Sequence, residues 1–367
     1  MSSSRKTYTY EILIYVLLLA LAQGLKDPTY CSHDMSSRAI VPLTEAERTL
    51  VGELKQVQVV IRHGARTPYS AHPCWKNYNI DWNDCNVSDF MFSAPSGQSA
   101  DEEGWFFRKV YDASPNELGG RCQTGQLLAE GYNQEVKNGE LLRQAYIGNT
   151  SLALFPTAVW EELDTREIYF RSDDEQRTLS SGQILVHSLF DVRRREVIAW
   201  HTGDYSLDTL SPNKHACPLL DKLEKKAFAS EEFLAVQTSE RVQQLTRDLD
   251  AVLGAGAWSW DFLMDCFMTV TCTGRSVPGV GNGKMTQQLF DAAIGHVEYM
   301  YAYKSLYNGS VFSRLAMTKT AANIRKRLVT AQRNSPGALK FVLYGRCRGG
   351  YGTLYMSYNM CFCAVLL

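Results

Sequence analysis

The chain has 367 residues, 45% hydrophobic and 21% charged, with a formal net charge of -1. This fits one large globular domain, or a core with a cap, and excludes the global basic field that draws nucleic acid. Short basic runs such as Arg193-Arg194-Arg195 and Arg325-Lys326-Arg327 read as solvated helix faces.

Arg5 and Lys6 precede an apolar run from Ile12 to Ala22, and Ala20, Ala22 and Gly24 offer cleavage sites. This is the layout of a signal peptide over residues 1–24, the run being short for a membrane span. An uncleaved signal anchor is the competing reading, and no other membrane span is expected. The ten cysteines are at 31, 74, 85, 122, 217, 266, 272, 347, 361 and 363. They lack zinc spacing and read as disulfides of an oxidising compartment, secreted or lysosomal. Asn86-Val87-Ser88, Asn149-Thr150-Ser151 and Asn308-Gly309-Ser310 are glycosylation acceptors.

After a lead-in with one short helix in Thr44–Leu54, Val57-Gln58-Val59-Val60-Ile61 reads as a buried strand. It runs into Arg62-His63-Gly64-Ala65-Arg66-Thr67-Pro68, turning at Gly64 and Pro68. A histidine between two arginines at a strand end suits a ligand crevice in an α/β fold. The chemistry suggested is attack on phosphorus. A neutral imidazole is a competent nucleophile, and guanidiniums hold phosphate oxygens by charge-assisted hydrogen bonds.

Residues 70–120 lose all periodicity and read as a long irregular insertion, with Cys74, Cys85 and Cys122 available to tie it. The spacing predicts a helix over Cys122–Tyr146 with Thr124 as N-cap. Glu167–Phe170 is a second strand, followed by a helix to Phe190 capped by Ser172 or Asp173. Arg171 then stands at a strand end beside a helix N-terminus, which favours anions. Arg177, one or two turns into that helix, reads as structural. Ile198–Thr202 is a further strand, His187 and His201 read as packing or hydrogen-bonding residues, and His296 has no obvious chemical partner in sequence. From Ser206 to Asn334 the chain is mainly helical, with Val242, Leu245, Leu249 and Leu253 on one face. Cys266 is free to pair with Cys272 or Cys217. Leu339–Gly345 is another buried strand.

The run Arg-His-Gly-x-Arg-x-Pro at 62–68 and the run Arg171-Ser172-Asp173-Asp174-Glu175-Gln176-Arg177-Thr178 resemble the two signature segments of the histidine acid phosphatases, branch 2 of the histidine phosphatase superfamily. The resemblance covers about Gln56 to Gly345. It implies an α/β fold of phosphoglycerate mutase type, a three-layer sheet core with a mainly helical cap. It implies a single domain over 25–367, with cap insertions at about 70–165 and 203–334. It implies phosphate monoester hydrolysis through a phosphohistidine on His63, with Arg62, Arg66 and Arg171 on the phosphate. The partner is a small phosphate ester, and neither cofactor nor metal is needed, because arginines supply the positive charge.

The pattern stops after Gly345. There the family continues into a His-Asp pair that supplies a second histidine and the leaving-group acid. This chain has Arg346-Cys347-Arg348-Gly349 instead, so the part after 345 reads as truncated or divergent. Losing general acid catalysis removes roughly a hundred- to ten-thousand-fold in rate. The expectation is an acid phosphatase impaired at that step. Asp173 and Asp174 are poor substitutes beside Arg171. The alternative is an inactive phosphate-binding relative or a truncated product.

Overall fold

Thr44 starts helix α1 (Glu45–Val51) with a reciprocal cap: its hydroxyl accepts from the Glu47 N–H, and the Glu47 carboxylate accepts from the Thr44 N–H. Strand β1 (Gln56–Arg62) follows in this computed structural model, which describes residues 31, 39–69, 73–88, 90–92, 106–108, 118–192, 197–279, 284–346 and 362–366. Two small ribbons come next: β2 (Asp81–Trp82) pairs with β5 (Gly119–Gly120), and β3 (Phe90–Phe92) pairs with β4 (Phe106–Arg108). Helix α2 (Ala129–Tyr146), strand β6 (Ile168–Asp173), helix α3 (Gln176–Leu189) and strand β7 (His201–Gly203) continue the core. Helices α4 (Leu219–Phe228), α5 (Glu231–Gln237), α6 (Glu240–Leu253), α7 (Trp260–Cys272) and α8 (Gln287–Gln332) lead to strands β8 (Phe341–Arg346) and β9 (Phe362–Leu366).

The main sheet has the order β7-β6-β8-β1-β9. β1, β6, β7 and β8 are parallel, and β9 runs antiparallel on β1. Strand alternation gives the sheet two buried faces. Val57, Val59, Ile61, Phe170, Phe341 and Leu343 pack under α2 and α3. Val60, Tyr169, Val342 and Tyr344 face the second half of α8 at Ile324. On that face Gln58 is buried and satisfied: its amide donates to Gln56 Oε1 at 2.7 Å and to the Ile324 carbonyl at 3.0 Å.

A second core unites the insertion with α6, α7 and the first half of α8, around Trp75, Trp82, Leu249, Phe267 and Phe290. Three disulfides fasten it: Cys85–Cys122 within the insertion, and Cys74–Cys266 and Cys31–Cys272 onto α7. The expected choice of Cys272 or Cys217 for Cys266 is thereby corrected: its partner is Cys74, and Cys217 is a free thiol among the described residues. α8 is broken at Tyr307–Ser310, where Asn308, Gly309 and Ser310 are left-handed with φ of 49°, 67° and 61°. Asn86, Asn149 and Asn308, the sequon asparagines, are all exposed.

Most expected elements are present, and Val242, Leu245, Leu249 and Leu253 are all buried on α6. The strand expected over Ile198–Thr202 is the shorter β7, His201–Gly203, and two helix starts differ. α2 starts at Ala129 rather than at Thr124, because residues 123–128 are engaged by the loop after β1: the Thr67 and Leu128 N–H groups donate to the carbonyls of Gln126 and Ala65, both at 3.0 Å. β6 runs on to Asp173, so α3 starts at Gln176. Ser172 is no cap: its hydroxyl donates to the Asp173 carbonyl and accepts from the Trp200 indole at 2.9 Å. Residues 1–24, expected to be a signal peptide, and residues 347–361, in the part expected to be truncated or divergent, lie outside the described residues.

Candidate active site

Parallel register brings the carboxyl ends of β1, β6 and β8 to one edge, with Arg62 opposite Arg346 and Ser172 opposite Gly345. Ligands of open α/β sheets bind beyond such ends. The loop leaving β1 is held there by its backbone. The Gly64 N–H donates to the Ser181 hydroxyl of α3 at 3.1 Å, and the Ala65 N–H donates to Gln134 Oε1 of α2 at 2.8 Å. Gly64 meets Gly131, in the first turn of α2, backbone to backbone. A Cβ on Gly64 would lie 2.6 Å from the Gly131 Cα, where no side chain fits.

His63 is only 3% exposed. Its Nδ1 lies 2.9 Å from the Gly64 carbonyl, an acceptor, so Nδ1 carries the proton and Nε2 the lone pair. Arg66 Nε donates to that Nε2 at 3.2 Å. Burial, then the charges of Arg66, Arg62 and Arg177, hold the imidazole well below its ordinary value of 6.5. The ring is thus neutral, with the Nε2 lone pair among guanidiniums.

Arg66 is oriented from below. Its Nη1 donates to the Thr67 carbonyl at 2.8 Å, and its Nη2 donates to Asp265 of α7 at 2.7 Å. Asp265 also accepts from the Tyr69 N–H at 2.6 Å. Burial pushes the Asp265 carboxyl up, but the Arg66 charge and hydrogen bonds and the Tyr69 N–H outweigh it and keep it ionised. Tyr69 extends its ring beneath two cations, 5.9 Å from Arg66 Cζ and 5.0 Å from Arg177 Cζ.

The structure therefore gathers His63, Arg62, Arg66 and Arg177, and the expectation for Arg171 needs correction. Arg171 lies on the opposite face of β6 from Phe170 and Ser172, and its Nη2 is 3.4 Å from Asp208, itself 6% exposed. Strand alternation is the physical reason: β6 extends two residues past Arg171, which turns that side chain toward the α8 side. Because α3 starts at Gln176, Arg177 falls in its first turn and leans back over the loop. It is buried, with Nη1 3.2 Å from Glu175 Oε2. Sequence reading missed Arg177 for want of that boundary. It missed Asp265 because α7 carries no motif.

Above these residues opens a cavity of about 880 Å³. Arg62, Arg66 and Arg177 line it, together with Trp260, Met264, Tyr301 and Lys304. Asp173 and Asp174 are not in its lining. Among the described residues no group of three or more His, Cys, Asp or Glu is assembled for a metal, and no helix is long and apolar enough to cross a membrane.

Residues 53–345 match the histidine phosphatase superfamily (branch 2). The chain belongs to that family. The chain is similar to counting factor 60 of Dictyostelium discoideum, 28% identical over 345 residues, covering 90% of this chain and 77% of that protein. Lysophosphatidic acid phosphatase type 6 of Homo sapiens is 30% identical over 208 residues, 51% of this chain and 44% of that protein. A probable acid phosphatase of Schizosaccharomyces pombe is 26% identical over 317 residues, covering 80% of this chain and 66% of that protein. The chain thus spans under half of the human relative's length. Its mixed α/β core, with a mainly parallel sheet between helices, is the fold that the family membership predicts.

Proposed function

We propose that this histidine phosphatase hydrolyses phosphate monoesters through a phosphohistidine on His63. The observation that carries the reading is the His63 Nε2 lone pair, on a neutral imidazole among three guanidiniums at the sheet edge. Nε2 attacks phosphorus in line. Arg62, Arg66 and Arg177 gather the equatorial oxygens and stabilise the charge that builds on them. Arg66 turns its Nε–H from the imidazole to the phosphate as Nε2 bonds to phosphorus. Water then hydrolyses the phosphohistidine. A nucleophile held below its ordinary value keeps its lone pair in acid, which supports an acid phosphatase.

The cavity supports an ester with a sizeable, partly apolar body. Aromatic and Met side chains contribute to its lining, and the lysines that line it are already paired: Lys304 with Glu224 at 2.9 Å, Lys225 with Asp221 at 2.7 Å, and Lys214 with both carboxylates. A densely anionic substrate would have to compete with those carboxylates for the lysines. The three disulfides support a secreted or lysosomal location. We also infer a single domain whose cap comes from the two insertions.

The test is hydrolysis of p-nitrophenyl phosphate at acidic pH by purified protein and by His63→Ala. Turnover that disappears in the variant supports the reading. A folded wild-type protein that releases no phosphate refutes it. A higher kcat/KM for decyl phosphate than for inositol hexakisphosphate is expected; the reverse would overturn the apolar-body assignment.

A further inference from the structure

A phosphatase acting on ordinary alcohols needs an acid for the leaving oxygen, because an alkoxide is a poor leaving group. After β8 this chain reads Arg346-Cys347-Arg348, with no carboxyl among them. The cavity lining holds four carboxyl groups: Asp221, Glu224, Asp261 and Asp265. Three are committed to cations. Asp221 is bound by Lys225 at 2.7 Å and Lys214 at 3.3 Å, and Glu224 by Lys304 at 2.9 Å and also by Lys214. Asp265 is bound by Arg66 at 2.7 Å and by the Tyr69 N–H. Asp261 is exposed and makes no ion pair among the described residues.

Its place in the fold suits the task. Asp261 lies in the first turn of α7, four residues before Asp265, so the two share a helix face at roughly 5–6 Å between Cβ atoms. Asp265 meets the guanidinium that flanks His63. Arg66, which donates to the His63 Nε2, lines the same cavity as Asp261, and in-line attack places the leaving oxygen on the side of phosphorus away from Nε2. We propose that Asp261 is the general acid of this enzyme, an inference that rests on the phosphatase reading above. As the Nε2–P bond forms and the P–O bond breaks, the Asp261 O–H proton passes to the leaving oxygen and an alcohol departs. The resulting carboxylate takes a proton from the water that attacks phosphorus, the Nε2–P bond breaks, and phosphate leaves with Asp261 protonated again. A purely structural role, an acid complementing the α7 dipole, would not depend on the leaving group.

The experiment compares wild type, Asp261→Asn and Asp261→Glu on hexyl phosphate and p-nitrophenyl phosphate, with thermal melts as the folding control. Nitrophenolate departs without a proton. Asp261→Asn is therefore expected to lose about a hundredfold or more in kcat on hexyl phosphate and far less on p-nitrophenyl phosphate. Asp261→Glu should recover part of the hexyl phosphate rate. Equal losses on both esters, or an undiminished hexyl phosphate rate in Asp261→Asn, would overturn the assignment while leaving His63 catalysis standing. A wild-type protein inactive on both esters would overturn both readings.

Discussion

Arg171 and Arg177 are six residues apart and do different work. Arg177 faces His63 and the cavity, so Arg177→Ala is expected to lower kcat/KM for p-nitrophenyl phosphate by about a hundred- to a thousandfold, as loss of one transition-state donor does. Arg171 holds Asp208 on the far face of the strand. Removing it strands a buried carboxylate, so Arg171→Ala should cost about 1–3 kcal/mol in a denaturant melt while leaving kcat near wild type. The opposite ranking in a paired assay would reverse the two roles. Asp265→Asn keeps the shape but not the charge that aims Arg66, and a kcat/KM loss of about a hundredfold is expected from the misplaced guanidinium. His63 and Arg66 were legible because a contiguous motif after a strand needs no knowledge of the fold. Arg177 was not, because a three-residue error in the end of β6 hid which arginine opens the helix. Asp265 belongs to the site only through tertiary packing, which no local spacing encodes.

At the scale of elements, the strand run at 57–61, the α6 stripe and the last strand of the core were readable from periodicity alone. The start of α2 was not. Thr124 carries a capping residue's chemistry, yet its neighbours are used by Thr67 and Ala65, and the local preference gives way. That engagement is what makes Gly64 and Gly131 tight. A methyl at Gly131 would press the Ala65 backbone in the loop that presents His63. Gly131→Ala is expected to destabilise by about 1–3 kcal/mol through overpacking and to lower kcat as well, read from a melt and a turnover assay on the same preparation. An unchanged melting temperature would mean that the two backbones separate without penalty.

For the whole molecule, the depressed His63 value has a thermodynamic consequence with a definite sign. Below its ordinary value of 6.5 the unfolded chain takes up a proton that the folded imidazole refuses. The unfolded state then binds more protons, so this residue makes stability rise with pH up to about 6.5. His63→Asn should flatten that rise, and melting temperatures at pH 5 and pH 7.5 should differ less in the variant than in wild type. The α7 linkages bear on a larger question, that of when the protein works. Asp265, which aims Arg66, is next in sequence to Cys266, and that cysteine and Cys272 moor the helix to the insertion and to the N-terminal segment. On the phosphatase reading, the helix that completes the phosphate clamp is one that two disulfides hold in place. On the reading proposed here, a newly made chain stays idle toward the phosphate esters of a reducing cytosol. On the same reading its grip on phosphate would depend on a compartment where thiols close.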